Sequence, residues 1–204
     1  MAGRFARSPT LDDATASRLL ALVEPRLNPV APLSGFPTPE EVGSAARRLA
    51  QVPTADGTVL VHTAPAGADA TGRPNTMTHI AVLADEKRPA VCTADLWRSP
   101  GWRVPFGPDE VRATRMPAAG EIIPGRNVSD DSVADFMAES GRAAVLVALA
   151  DLLGDVLARR ADAPADKTTT VLLGTDSTDE AALWVGALQR TCAPCTGRRL
   201  GFST

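Results

Sequence analysis

His62 and His79 are the only imidazoles in this chain of 204 residues, and both fall in segments that read as strands. If those strands pair antiparallel, the two rings share a face, where imidazoles can hold a metal or relay a proton. No carboxylate or thiol stands at ligand spacing beside either ring, so a metal site there needs distant residues to close it. The plainer reading makes each a half-buried strand residue with one backbone partner. With Arg73, Asn75 and Asp95, the pair outlines a small-ligand pocket at the mouth of the predicted hairpin.

Three other stretches carry residue types that do chemistry. Cys192-Ala193-Pro194-Cys195 is a CxxC, but the one further cysteine, Cys92, does not supply a second ligand pair. The motif follows a predicted helix and precedes a predicted strand, the wrong end for a thioredoxin-like redox site. Gly174 to Glu180 joins a predicted strand to a helix, where α/β proteins bind phosphate. It has one glycine, no lysine and three acids, so it is not a phosphate-binding loop; Ser177 with Glu180 reads as a capping box. No GxSxG is present, and Ser99 and Ser140 have no assignable partner, so no hydrolase site is indicated. The sequence assigns no catalytic set, metal or cofactor.

The strongest local signal is a Pro/Gly-rich loop holding Trp97, Trp102 and Phe106. Aromatics make up 4% of the chain and tyrosine is absent, yet two of the three tryptophans sit here. Trp and Arg are the types most enriched at binding hot spots, so Trp97, Arg98, Trp102, Arg103 and Phe106 make a docking surface. The alternative folds the indoles back over a core that lacks bulk: hydrophobic residues reach 44%, but 35 residues are alanine.

The elements that must position these groups are partly legible. Thr10 is the expected N-cap of a helix over 11–24, with Asp12 and Asp13 at its positive end. Thr38, Pro39 and Glu41 open a second helix that the composition carries to Gln51. Strands are expected over 58–63 and 77–84, joined by a long connection over 65–75. A short element surrounds 111–116, and Ser129 caps the next helical region. The apolar run 143–157 is the longest helix and is expected near the centre of the core. The tail reads strand (168–173), helix (177–190), strand (199–202), after a polar linker over 161–167.

The sequence therefore predicts an α+β protein, a mixed sheet packed against a long apolar helix with a C-terminal strand–helix–strand unit. It reads as a single domain over 1–204, with 162–204 as an appended lobe in the alternative division. A net charge of −3 with 19 scattered arginines against 2 lysines lacks the basic stripe of a nucleic-acid binder. No run approaches the ~18 apolar residues of a membrane span, and the N-terminus lacks a signal-peptide apolar region, so a cytoplasmic location is expected.

Gly72-Arg73-Pro74-Asn75, the strand carrying His79, and Leu96-Trp97-Arg98-Ser99-Pro100-Gly101-Trp102 resemble a bacterial family. It is the N-terminal module of the GTPase-associated proteins, found mainly in actinobacteria. The tail is similar too, in Asp179-Glu180-Ala181-Ala182-Leu183-Trp184 and in Arg198 to Thr204. The family's aromatic-rich strand before the histidine is replaced here by Asn75-Thr76-Met77-Thr78. Its members are longer, so by this resemblance the chain is a short or truncated member. The resemblance implies a non-enzymatic adaptor whose protein partner is a GTPase or a larger assembly, in a system concerned with defence or conflict. Two other functions remain open: a ligand sensor or enzyme around His79 and His62, and a structural subunit offering its C-terminal strand for strand addition.

Overall fold

The computed structural model describes residues 7–8, 11–23, 27, 29, 33–54, 57–69, 71–83, 92–117, 121–162, 170–193, 196–197 and 200–204. The elements run α1 (Asp13–Leu20), α2 (Pro39–Ser44), β1 (Arg48–Thr54), β2 (Gly57–Ala68) and β3 (Pro74–Leu83). A 3₁₀ turn (Thr93–Leu96) follows, then α3 (Pro108–Ala113), α4 (Asp130–Met137), α5 (Arg142–Asp162), α6 (Thr178–Thr191) and β4 (Phe202–Ser203).

The α+β class holds. The sheet is four-stranded in the order β3-β2-β1-β4, and each pairing is antiparallel rather than mixed. The pairing His62↔His79 lies in the middle of the β2–β3 ladder, with Leu49 of β1 opposite His62, so all three share one face. Leu49, Leu60 and Ala81 on that face join Trp97, Trp102, Val128, Val133, Ala182 and Ala187 in the main core.

β1 replaces the second half of the predicted second helix. The Thr38–Glu41 capping box and Pro39 open α2 as expected, but it stops at Ser44. Ala45 to Ala50 has high helix propensity. Between β2 and β4, however, Leu49 and Gln51 become almost fully buried, and ladder bonding with core burial overrides that local preference. The β2 and β3 strands are longer than predicted, which shortens their connection to residues 69–73. Asp69 closes it by accepting from the Thr71 and Arg73 amides, and Gly72 takes φ 79.

At the N-terminus Asp12 caps α1, accepting from the Thr15 amide; Thr10, the expected cap, lies outside the described residues. Ser129 caps α4 in a reciprocal box with Ser132. Ser177 caps α6 by accepting from Glu180 N, while the Glu180 carboxylate reaches past it to Asp176 N.

The apolar helix is not central. α5 buries only a stripe, with Leu149 and Val156 buried and Leu146 and Leu153 half-buried, and packs in a second cluster with Phe136, Trp184 and Leu188. Val145 and Leu152, flanking the stripe, and Val147, opposite it, are exposed. Its small residues, Ala143, Ala144, Ala148 and Gly154 among them, give it an apolar composition without the bulk that drives burial.

The predicted strand at 168–173 forms no ladder over its described residues 170–173, of which Val171 packs against the second cluster. The expected final strand is short: β4 pairs through Phe202 and Ser203 with Gln51 and Ala50.

Candidate functional site

The loop after the 3₁₀ turn is folded inward. Trp97 has no exposed surface and Trp102 has 3%. Hydrogen bonds between main-chain atoms of the turn start the reversal, and Trp102 Nε1 donates to Leu96 O at 2.7 Å, tying the loop's end to its beginning. Two glycines let it lie against the backbone of 121–125. A Cβ on Gly101 would fall 2.3 Å from Glu121 O, and one on Gly125 would fall 2.2 Å from Trp97 O. Neither position admits a side chain without moving main chain.

Trp102 is the meeting point of the two histidines. The His62 ring stacks parallel on its indole with centroids 4.9 Å apart, and His79 meets the same indole edge-on at 5.0 Å. Both His62 ring nitrogens and His79 Nδ1 are buried without a hydrogen-bond partner among the described residues. Burial, reinforced by the Arg47 guanidinium, by His79 and by Arg98, pushes His62 down to about 3. Burial, then Arg103, takes His79 to about 4. The rings are therefore neutral aromatic packing groups over the ordinary pH range. The remaining residues of the sequence-based pocket stand elsewhere. Arg73 and Asn75 are exposed at the hairpin end, Asn75 about 13 Å along β3 from His79 at the usual strand rise. Asp95 is bonded to Arg190 at 2.9 Å on the far side of the 3₁₀ turn. Among the described residues no cluster of three or more His, Cys, Asp or Glu could hold a metal.

The loop's second half-turn carries a charged clamp. Arg98 sits at φ 50, a left-handed conformation uncommon for residues other than glycine. From there Nε and Nη2 donate to the two Asp179 carboxylate oxygens at 2.6 and 2.8 Å. Nη1 donates to Gly43 O at 2.6 Å, and Nη2 also reaches Ser44 O and Ala45 O at 3.2 Å. One guanidinium thus joins the last carbonyls of α2 to the first turn of α6. Asp179 also accepts from Trp97 Nε1 at 2.6 Å. Burial opposes its ionisation, but the Arg98 and Trp97 hydrogen bonds outweigh burial and hold the carboxyl below its usual range. Arg47 beside it is buried and donates to Gly43 O; desolvation, then Arg98, lowers it to about 10.

A neutral polar network completes the frame. Thr93 donates to the Gln51 side-chain oxygen and accepts from Gln189 Nε2 at 2.8 Å, and Gln189 Oε1 accepts from Ala94 N at 3.0 Å. Gln51 Nε2 donates to Gly197 O and Leu200 O. Arg190 bridges Asp95 and Asp130. Burial raises the Asp95 carboxyl despite that arginine, and burial followed by the Asp95 charge raises the Cys92 thiol. Cys92 has no cysteine bonded to it. Cys192 is a free thiol, and Cys195 lies outside the described residues.

Of the five residues expected to make a docking surface, the two indoles are therefore inside. Arg98 is spent on the clamp, its side chain 11% exposed. Arg103, 39% exposed, donates to Arg115 O and faces Glu121. Phe106 is half-buried, its amide held by Glu110 at 2.9 Å. With Val104, Pro105 and Thr114, Arg103 and Glu110 line a shallow concavity of about 430 Å³ beside Trp102. The Arg98–Asp179 clamp was missed in the sequence because its partners lie 81 positions apart. In the sequence Asp179 stands out only as one of the three acids of 174–180 and within the tail stretch that carries the resemblance.

These features define an α+β module whose aromatic loop is internal framework and whose outer rim is a shallow, largely apolar concavity edged by Arg103 and Glu110. The chain belongs to the family described as GTPase-associated protein 1, N-terminal domain type 2, whose model matches residues 4–122. It is 35% identical over 202 residues to a Mycolicibacterium smegmatis (strain ATCC 700084 / mc(2)155) protein named, by proposed assignment, an ESX-1 scaffolding and assembly protein, SaeB. That match covers 97% of this chain and 24% of the relative. The protein of the same name in strain MKD8 is 36% identical over 191 residues, covering 91% of this chain and 22% of the relative. The chain thus spans about a quarter of the length of these relatives. No solved structure matches it significantly.

Proposed function

We propose that this chain is a non-enzymatic scaffold or adaptor module, acting in the cytoplasm, that holds protein partners together in an assembly. The observation that carries the reading is the match of nearly the whole chain to proteins named for ESX-1 scaffolding and assembly. The family description adds an association with a GTPase, which makes a GTPase or its assembly the partner in this proposal. A role in defence has no support in these observations and forms no part of it.

The site agrees with a binding rather than a turnover role. The chain's two imidazoles are neutral and packed on Trp102, and the charges nearest them hold helices together. What the loop offers outward is the partly exposed rim of Arg103, Val104 and Phe106, where an arginine beside apolar groups suits a protein contact. The test is affinity capture of the tagged chain from cells that express it, as wild type and as Arg103→Glu. Recovery of a GTPase or of ESX-1 assembly components in stoichiometric amount, lost in Arg103→Glu, supports the proposal. Unchanged recovery in the variant moves the contact to another surface.

A further inference from the structure

Among the described residues one edge of the sheet carries no partner strand. On one side β4 covers β1 at Ala50 and Gln51, and the rest of β1 carries Arg48 and Pro53, both of which discourage strand addition. On the other side lies β3. From Met77 to Leu83 it contains no charged residue, no proline and no glycine, and among the described residues no strand pairs with its outer side. In an antiparallel pair every second residue turns its N–H and C=O away from the partner, so this edge presents a row of unmade backbone bonds.

The same chain carries the counterpart. Thr170-Val171-Leu172-Leu173-Gly174 is rich in β-prone residues and belongs to no helix or strand, and its backbone groups make no hydrogen bond among the described residues. Leu172 is 90% exposed and Leu173 40%. Val171 packs against the cluster of Phe136, Leu149, Trp184 and Leu188, which contains no sheet residue. At the other end α6 is fixed through Asp179 to Arg98. The segment is thus held open beside the helices, away from the sheet of its own molecule. Its five residues extend about 17 Å, within the roughly 23 Å of 77–83.

We infer that the outer edge of β3 is a strand-addition site whose occupant is the 170–174 segment of a second copy of this chain. Two copies exchanging these segments satisfy both sets of backbone groups at once and cover Leu172 and Leu173, and reciprocity closes the pair. This contact is separate from the Arg103 rim and does not depend on which protein the adaptor holds.

The test is the mass of the purified full chain in solution across a concentration series, combined with amide hydrogen exchange. The wild type is expected to associate as concentration rises, with protection gained at 77–83 and 170–174. Leu172→Pro, which removes a donor and blocks the ladder, and Val82→Lys, which charges the edge, each raise the dissociation constant at least about tenfold. An equimolar mixture of the two variants regains association, because one intact segment still meets one intact edge. Circular dichroism and melting temperature of both variants show whether the fold is unchanged. A chain that stays monomeric throughout, association that survives both substitutions, or protection gained elsewhere, such as the exposed side of α5, overturns the inference.

Discussion

Acid should destabilise this protein through two residues alone among its histidines, because the chain has only two. Unfolded, each imidazole titrates near 6.5. Folded, burial holds His62 at about 3 and His79 at about 4. Below pH 6.5 the unfolded chain therefore binds protons that the folded chain refuses. The stability this neutrality confers is complete above 6.5 and is lost as pH falls toward the folded values. Between pH 6.5 and 4.5 the loss approaches about 1.4 kcal/mol per pH unit for each ring, or about 5 kcal/mol for both; solvent near His79 trims that to roughly 4. Against a domain stability of about 5–15 kcal/mol this is enough to bring the chain close to unfolding at pH 4.5. Urea unfolding at pH 7.5, 6.5, 5.5 and 4.5 measures it, with the His62→Phe/His79→Phe pair as reference, since phenylalanine keeps a ring against Trp102 without a titrating nitrogen. An unfolding free energy that changes equally in wild type and reference over this range refutes the burial of neutral imidazoles.

Three further outcomes test the loop as framework. Trp102→Ala removes the indole on which both histidines pack and leaves Leu96 O without its donor, so it should cost about 3–5 kcal/mol, read as a fall in melting temperature. A wild-type melting temperature returns Trp102 to the surface. Arg98→Ala frees Asp179 and the α2 carbonyls together, for roughly 2–3 kcal/mol in urea unfolding, with faster proteolysis near 43–47. Loss of less than about 0.5 kcal/mol makes the clamp ornamental. Gly125→Ala should destabilise by about 3 kcal/mol in the same assay, because its Cβ meets main-chain oxygen of Trp97 at 2.2 Å. A neutral result places 121–125 farther from the loop.

The parts of the fold visible in the sequence are those written locally. The caps at Thr38, Ser129 and Ser177 are read from residues within three positions of each other, and each opens a helix. The facing of His62 and His79 follows from two adjacent strands and the two-residue period of the pleat. β1 was hidden because the run from Ala45 to Ala50 that leads into it favours helix, and only its place between β2 and β4 makes it a strand. α5 reads as core because composition counts alanine as apolar, although a methyl group contributes little to burial. The Trp loop shows the same limit at the site. Its residue types fit either a surface or a core plug, and what decides for the core is contact with His62, His79, Gly125 and Asp179, all distant in sequence. The strand expected at 168–173 has the propensity but no neighbour in its own molecule over its described part.

The central claim is that this chain works by holding proteins together, and co-purification with quantified stoichiometry tests it most directly. The tagged chain, captured from cells that express it under mild salt, is predicted to bring down a GTPase or ESX-1 assembly components at near-equal molar amount, and Arg103→Glu is predicted to lose them while melting normally. Wild-type chain recovered free of both, at a yield and salt that preserve known complexes of those components, would contradict the account.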